Sequence, residues 1–157
     1  MPKITYEAHA LDCLEELYQI ARALLPDARD AERAVEKAYA QYLSPRNSVE
    51  EVRLALLTRL MGVIGPQRRR RWSWRLFSAG ESSVCPELQV LRSLPTPQAE
   101  AWLLADVCEF DLDVIGSILG YSASECRTLL VAGQEALRRS LRGPGTATCA
   151  KALAVSL

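Results

Sequence analysis

Apolar residues in the first half of the chain recur at steps of three and four. In the segment from Glu7 to Leu25, which ends before Pro26, the residues at this spacing are Leu14, Leu17, Ala21 and Leu24. An α-helix makes one turn in 3.6 residues, so this spacing places the four side chains on one face. A strand would instead alternate apolar and polar residues, and no segment of the sequence shows that pattern. The sequence therefore predicts an all-α fold.

Two further helices are expected before the middle of the chain. One extends from Ala28 to about Leu43 and ends at Ser44-Pro45, because the residue before a proline is disfavoured in helical geometry. Its apolar stripe consists of Ala31, Val35, Ala38 and Tyr42. The next begins at Ser48, which has capping-box spacing to Glu51, and ends at Gly65-Pro66. Its stripe consists of Val52, Leu56, Leu60 and Val63. The three stripes can be buried only against one another, which predicts a helical bundle.

An arginine-rich segment with interleaved tryptophans follows this bundle. Its members are Arg68, Arg69, Arg70, Arg71, Trp72, Trp74 and Arg75. Arginines neutralise phosphates and indole rings stack on bases, so the segment is a candidate contact for nucleic acid. The alternative is a solvated charge run whose tryptophans dock on the bundle, and the sequence leaves both open.

The second half predicts a helix-turn-helix. Thr96-Pro97 starts a helix from Gln98 to Val107, and Asp111 starts a short one. Gly120-Tyr121 forms a tight turn, and the capping box from Ser122 to Glu125 opens the last helix. Its inward residues are Cys126, Leu129, Leu130, Gly133 and Leu137, and its outward ones are Ser124, Arg127, Thr128, Val131, Glu135 and Arg138. An αα-hairpin without a ligand has the same pattern, because spacing shows a shape and not a function.

Small, polar, proline and glycine residues fill positions 78–90, a composition typical of a linker. We therefore expect two small helical domains: residues 1–77 as a bundle of three to four helices, 78–93 as the linker, 94–143 as the helix-turn-helix domain and 144–157 as a tail. The length of 157 residues suits one globular unit or two very small ones.

Charge is segregated along the chain although the net charge is zero. Residues 1–44 carry −3, 45–76 carry +6, 77–114 carry −6 and 115–157 carry +3. This pattern suggests separate surfaces with different partners and excludes a single basic face for nucleic acid.

The residues for common enzyme chemistry are scarce. The chain has one histidine, His9, and five cysteines that never form a CxxC pair. We therefore expect neither an enzyme nor a cofactor, metal or small-molecule substrate. No segment is long and apolar enough to insert in a membrane, and the first residues lack the layout of a signal peptide, so we expect a cytoplasmic protein.

The order of these parts resembles the two-domain sigma factors of the extracytoplasmic-function group, over nearly the whole chain. The run from Asp30 to Tyr39 is similar to that family's Asp-Ala-Glu-Asp-x-Val-Gln-Glu-x-Phe helix. Leu94-Pro95, and then Phe110 to Ser122, are similar to its Leu-Pro and Glu-Ile-Ala-x-x-Leu-Gly-x-Ser pattern. The resemblance implies a transcription initiation factor that binds core RNA polymerase and promoter DNA and is held by an anti-sigma factor.

The resemblance also implies roles for individual residues. The helix with Asp30, Glu32, Glu36 and Tyr39 would dock on the polymerase clamp. The arginine-rich segment would hold the −10 region, and Ser124, Arg127, Thr128 and Arg138 would meet the −35 major groove. The chain departs from the family at positions that would contact polymerase and DNA. Arg33 replaces an acid and Glu36 replaces glutamine in the clamp-binding helix, and of the family's basic residues in the recognition helix only Arg127 is retained.

These departures make a second interpretation serious. Some sigma-like domains, in the general-stress regulators of α-proteobacteria, have lost promoter reading and sequester an anti-sigma factor. The sequence from Ser124 to Ala132 is similar to their recognition-helix region. Such a mimic would use the apolar surface of Trp102, Leu103, Phe110 and Leu112 to hold a partner helix. Against it, those proteins carry a receiver domain after the sigma-like part, which we do not expect after Leu157, and the arginine-rich segment has no obvious use in a decoy.

Overall fold

The computed structural model describes residues 10–42, 49–72 and 86–142, and these ranges are helical with no β-strand. Residues 10–12 are helical, and seven further α-helices follow. They are α1 (Leu14–Leu24), α2 (Ala28–Ala40), α3 (Val49–Trp72), α4 (Pro86–Ser93), α5 (Thr96–Asp106), α6 (Leu112–Leu119) and α7 (Ala123–Leu141). The predicted all-α fold is confirmed.

Helix α1 ends before Pro26, as predicted, but its buried face differs from the expected one. Leu17, Ile20 and Leu24 are buried, whereas the side chain of Leu14 is 43% exposed. Leu14 lies about 70° around the helix from the centre of the buried face. The inclusion of Leu14 in the core was therefore wrong, and Ile20 takes its place.

Helix α2 begins at a side-chain cap that the sequence analysis missed. The backbone N–H of Arg29 donates to a carboxylate oxygen of Asp27 at 2.8 Å, which satisfies one of the free donors of the first turn. Ala31, Val35 and Ala38 are buried as predicted, and the helix ends at Ala40, a few residues before the expected end. Tyr42 follows the helix and is half-buried against the core.

Helix α3 does not end at Gly65-Pro66, so that predicted boundary was wrong. It continues through Pro66 to Trp72. Proline inside a helix removes the hydrogen bond to the carbonyl four residues earlier, which here belongs to Gly62. Both Gly62 and Pro66 are exposed, so water can reach the side of the helix on which that bond is lost. Ile64, on the opposite side, is fully buried and holds the helix to the core. The predicted start, Ser48, lies outside the described residues.

Part of the predicted linker is helical. Residues 86–93 form α4, which packs against α1 and α7, and Leu91 is buried in the common core. Residues 78–85 lie outside the described residues, and the division of the chain into domains stays a prediction.

The second half forms a helix, a turn and a capped helix. Helix α5 begins at Thr96, whose buried side chain is part of the helix and not its cap. Helix α6 ends at Gly120, whose φ of 77° places it in the left-handed region that glycine adopts without strain. The capping box of α7 forms as predicted: Ser122 Oγ accepts from the Glu125 N–H, and the Ser122 N–H donates to the Glu125 carboxylate.

Helix α3 joins the first half of the described chain, α1 to α3, to the second half, α4 to α7. It packs against α1 and α2 and also against α5 and α6, so the buried residues form one continuous cluster. Within the described ranges, no helix is both long enough and apolar enough to span a membrane.

Candidate partner-binding surfaces

The predicted polymerase-binding residues of α2 do not share one exposed surface. Glu32 and Glu36 are exposed and lie one turn apart, with Arg33 and Lys37 beside them. Asp30 is partly buried at the start of the helix. The hydroxyl of Tyr39 donates to the backbone carbonyl of Ala10, and burial raises the pKa of Tyr39 to about 12. Glu32 and Glu36 are thus available to a partner, whereas Tyr39 fixes the chain before α1.

The arginine-rich end of α3 splits into buried and exposed positions. The side chain of Arg68 is only 6% exposed, and its Nη1 donates to the carbonyl of Leu24 at 2.9 Å. Its Nη2 donates to the carbonyl of Leu94 at 3.1 Å. Arg68 therefore differs from the expectation of a DNA contact, because both ends of its guanidinium lie inside the protein.

The remaining members of that segment lie nearer the surface or outside the described parts. Arg69 and Arg70 are exposed on α3. Arg71 and Trp72 belong to the last turn of the helix, and their side chains lie outside the described residues. Trp74 and Arg75 also lie outside them.

Glu100 of α5 is a buried acid that the sequence analysis missed. It is 5% exposed and lies close to Arg68 and Arg69. Burial raises the pKa of Glu100 to about 7, and the two guanidinium groups oppose that rise. Among the described residues, none gives Glu100 Oε1 a hydrogen bond. The signal was its position: Glu100 lies one turn after Thr96 and one turn before Leu104, and both are buried.

Arg92 also makes hydrogen bonds to the carboxyl end of α1. Arg92 of α4 donates from Nη2 to the carbonyl of Arg22 at 2.8 Å and from Nε to that of Ala23 at 3.4 Å. The Arg22 side chain in turn donates to the carbonyl of Pro26 at 2.8 Å. The last four carbonyls of a helix have no N–H donor within the helix, so they can accept hydrogen bonds from cationic side chains, which also stabilise the negative end of the helix dipole.

The outward face of α7 carries the predicted DNA-reading residues together. Ser124, Arg127, Thr128 and Arg138 are all exposed, and at 100° per residue they lie on one stripe. Val131, 48% exposed, lies at the centre of this stripe. The inward side holds Cys126 and Leu137, both buried, as the sequence predicts. The exposed stripe can therefore reach a groove or a partner surface without repacking the helix.

Two polar contacts order the first turn of this stripe. Thr128 Oγ1 donates to the carbonyl of Ser124 at 3.0 Å. Glu125 is held in its capping box, and hydrogen bonds from Ser122 keep the pKa of its carboxyl below the usual range. The Glu125 charge is thus directed at the helix start.

Gly133 sets the distance between α7 and α5. A Cβ at this position would lie 3.3 Å from the backbone oxygen of Gln98 and 3.7 Å from Cβ of Trp102. Glycine therefore allows the backbone of α7 to approach α5 closely.

The apolar surface proposed for a partner helix is partly covered by this chain. Leu103 is buried, and Trp102 packs beside Gly133. Phe110 lies beneath the guanidinium of Arg53, and Leu112 is partly buried against the core. Leu103 is thus unavailable to a partner, whereas Trp102, Phe110 and Leu112 each keep part of their surface exposed.

The described cysteines are placed as unreactive thiols. Cys108 and Cys126 are buried and Cys13 is half-buried, all three in the reduced form. Burial raises the pKa of Cys108 to about 12, which disfavours the reactive thiolate. In the described ranges, no group of three or more histidine, cysteine and acidic residues is placed to hold a metal ion. Cys85 and Cys149 lie outside those ranges.

Comparisons with known proteins identify a fold and no family. No family model matches the chain. No curated protein matches it. Among solved structures it is similar to a chain in the co-crystal structure of the sigma factor RpoE in complex with the anti-sigma factor NepR from Bartonella quintana. The TM-score is 0.69 at 17% identity, and the match covers 90% of this chain and 99% of that chain. At this identity the likeness shows a sigma-factor-like fold.

Proposed function

We propose that this protein is a sigma-like transcription initiation factor that acts in the cytoplasm, without enzymatic activity of its own. One observation carries the proposal: the sigma-factor-like fold extends over nine tenths of the chain and nearly all of the matched chain. The exposed stripe on α7 supports it, because it offers two arginines and two hydroxyl side chains on one helical face.

Polymerase binding is assigned to the outer face of α2. Glu32 and Glu36 provide two exposed carboxylates one turn apart, which can pair with basic side chains of the polymerase clamp. Asp30 and Tyr39 support this face from positions that are partly buried. Arg33 and Lys37 reduce the negative potential there, which should weaken the complex. Moderate salt should weaken it further, because salt screens ion pairs between exposed charges.

Promoter contact is assigned to two elements. Ser124, Arg127, Thr128 and Arg138 of α7 would meet the −35 groove and its phosphates. Arg69, Arg70, Arg71, Trp72, Trp74 and Arg75 would hold the −10 region by phosphate pairing and stacking. We leave Arg68 out of this set because its guanidinium is buried.

Co-elution with core RNA polymerase on a sizing column, at low and moderate salt, tests the proposal. We expect a complex that Glu36→Arg abolishes and that the control Glu15→Arg, at an exposed position of α1, leaves intact. Glu36→Arg should leave the affinity for free DNA unchanged. Absence of a complex with folded wild-type protein would contradict the proposal.

A second candidate is a sigma mimic that binds an anti-sigma partner without reading a promoter. The burial of Arg68 favours it, because at least one residue of the arginine-rich segment has a use that needs no DNA. The matched structure also contains an anti-sigma factor, so we propose such a partner for this chain under either function. The mimic predicts no polymerase complex and no loss of partner binding in Arg69→Glu.

A further inference from the structure

We propose that Arg68 and Arg92 form a latch between the two halves of the chain and that the buried Glu100 opposes it. When closed, this latch keeps the arginine-rich end of α3 from nucleic acid. The latch itself rests on contacts within this chain, and its effect on nucleic acid rests on the proposed function.

The first part of the latch is a guanidinium that bonds to both halves at once. Arg68 belongs to α3, and its Nη1 donates to Leu24 at the end of α1, within the first half. Its Nη2 donates to Leu94, between α4 and α5, within the second half. A planar guanidinium can serve two carbonyls in fixed directions, whereas an ammonium group offers no such fork.

The second half makes the reciprocal contact. Arg92 of α4 crosses to the carbonyls of Arg22 and Ala23 in the last turn of α1. Three consecutive carbonyls of α1 therefore accept from arginines of two other helices. These acceptors carry the negative end of the helix dipole, which favours cations there.

Glu100 of α5 opposes the closed latch. Its carboxyl group lies close to Arg68 and Arg69, and the helices approach closely at Gly65: a Cβ there would lie 3.3 Å from Glu100 Oε1. Among the described residues, none donates a hydrogen bond to that oxygen. A buried acid whose hydrogen bonds are incomplete destabilises the closed form, and water would satisfy it in an open one. The closed state is thus held by directional bonds and opposed by this burial.

Opening the latch changes what the end of α3 presents to a partner. In the closed form Arg68 is inside the protein, and Arg69 is placed near Glu100. Separation of the halves would release Arg68 to solvent and move Glu100 away from Arg69, beside the exposed Arg70. The apparent affinity for nucleic acid then depends on the population of the open form.

Amide hydrogen exchange on the full chain tests the latch with Arg68→Lys, which keeps the charge and removes the fork. We expect exchange at least tenfold faster in residues 86–106, with α2 unchanged. Arg139→Lys, the same change at an exposed site, should have no effect. Arg92→Lys should reproduce the pattern from the other half, which keeps the test valid if Arg68→Lys fails to fold. Unchanged exchange would overturn the latch, and so would an equal increase in every helix, which indicates a general loss of stability.

Binding of a fluorescent oligothymidylate of twenty nucleotides tests whether the closed latch keeps the arginine-rich end of α3 from nucleic acid. Arg68→Lys conserves the charge, so a change in affinity cannot come from a lost cation. An affinity at least fivefold higher than that of the wild type would show that the closed latch keeps the arginine-rich end of α3 from the oligonucleotide. Faster exchange without tighter binding would overturn the proposal that the latch keeps this end of α3 from nucleic acid. Polymerase co-elution is a separate readout, so failure of the proposed function is distinguishable from failure of the latch.

Discussion

The guanidinium carbon of Arg53 lies 4.8 Å from the centre of the Phe110 ring, which places a cation of α3 over an aromatic residue of the second half. The same guanidinium donates from Nε to Glu16 of α1 at 2.9 Å. Arg53 near one end of α3 and Arg68 near the other thus connect the first half to the second. Polar contacts thus hold α3 at both ends, in addition to the packing that joins the buried apolar residues into one cluster.

Phe110→Leu should lower the free energy of unfolding by about 1 kcal/mol, since a partly buried cation–π contact contributes about 0.5–2 kcal/mol. Urea denaturation measures this change. The control is Tyr121→Leu at an exposed turn position, which should change stability by less than half as much. Equal losses in the two variants would show that Arg53 gains nothing from the Phe110 ring.

Glu100 should make stability depend on pH between about 4.5 and 7. The pKa of its carboxyl is raised in the folded state to about 7 from 4.5, so the folded protein binds the proton more tightly than the unfolded chain does. This contribution is fully present below pH 4.5 and is lost as pH rises through 7. Relative to Glu100→Gln, the wild type should lose at most about 3 kcal/mol between pH 4.5 and 8, at about 1.4 kcal/mol per pKa unit.

Urea unfolding of both proteins at the two pH values checks this. Glu32→Gln, an exposed acid of α2, serves as the control and should follow the wild type. A constant difference between wild type and Glu100→Gln across the range would contradict the raised pKa.

Gly116→Ala should destabilise the turn after α6. A Cβ on Gly116 would lie 2.5 Å from the backbone oxygen of Tyr121, so the turn must shift. We expect a loss of about 1–3 kcal/mol, the range for an overpacked site. Gly62→Ala is the matched control, because nothing lies within 4 Å of its Cβ and alanine favours helix by about 0.5–1 kcal/mol. Melting temperatures should therefore move in opposite directions, and a shift of the same sign would refute the steric argument.

Arg127→Ala should weaken binding to duplex promoter DNA and lower the slope of log affinity against log salt by about 0.9, as expected for one lost phosphate contact. Fluorescence anisotropy across several salt concentrations measures both quantities. The exposed Arg33→Ala on α2 should change neither. An unaltered slope in Arg127→Ala would remove this residue from the DNA-contacting stripe.

Local sequence rules predicted the elements that local chemistry determines. The capping box of α7 joins residues three apart, so Ser122 and Glu125 could be identified from spacing alone. The end of α1 before Pro26 and the exposed stripe of α7 follow from equally short-range rules.

Errors arose where tertiary contacts outweighed a local rule. Pro66 indicated a helix end, which predicted that the arginines after it form a separate segment. Once α3 is continuous, its buried stripe of Leu57, Leu60, Met61 and Ile64 reaches Arg68 at the next turn. The wrong helix end and the missed burial of Arg68 thus have the same cause. The carbonyls that stabilise Arg68 come from Leu24 and Leu94, far away in sequence, and no local pattern specifies them.

Gly133 allows α7 to approach α5 more closely than a residue with a Cβ would, on the side of α7 opposite the exposed stripe. The pose of the helix and the chemistry of its outer surface therefore depend on different residues. Substitutions at positions such as Arg127, Thr128 and Val131 can alter what the surface recognises without moving the axis that presents it. The scaffold is accordingly suited to acquiring new binding preferences by a few surface changes, whether through natural divergence or by deliberate selection from a library.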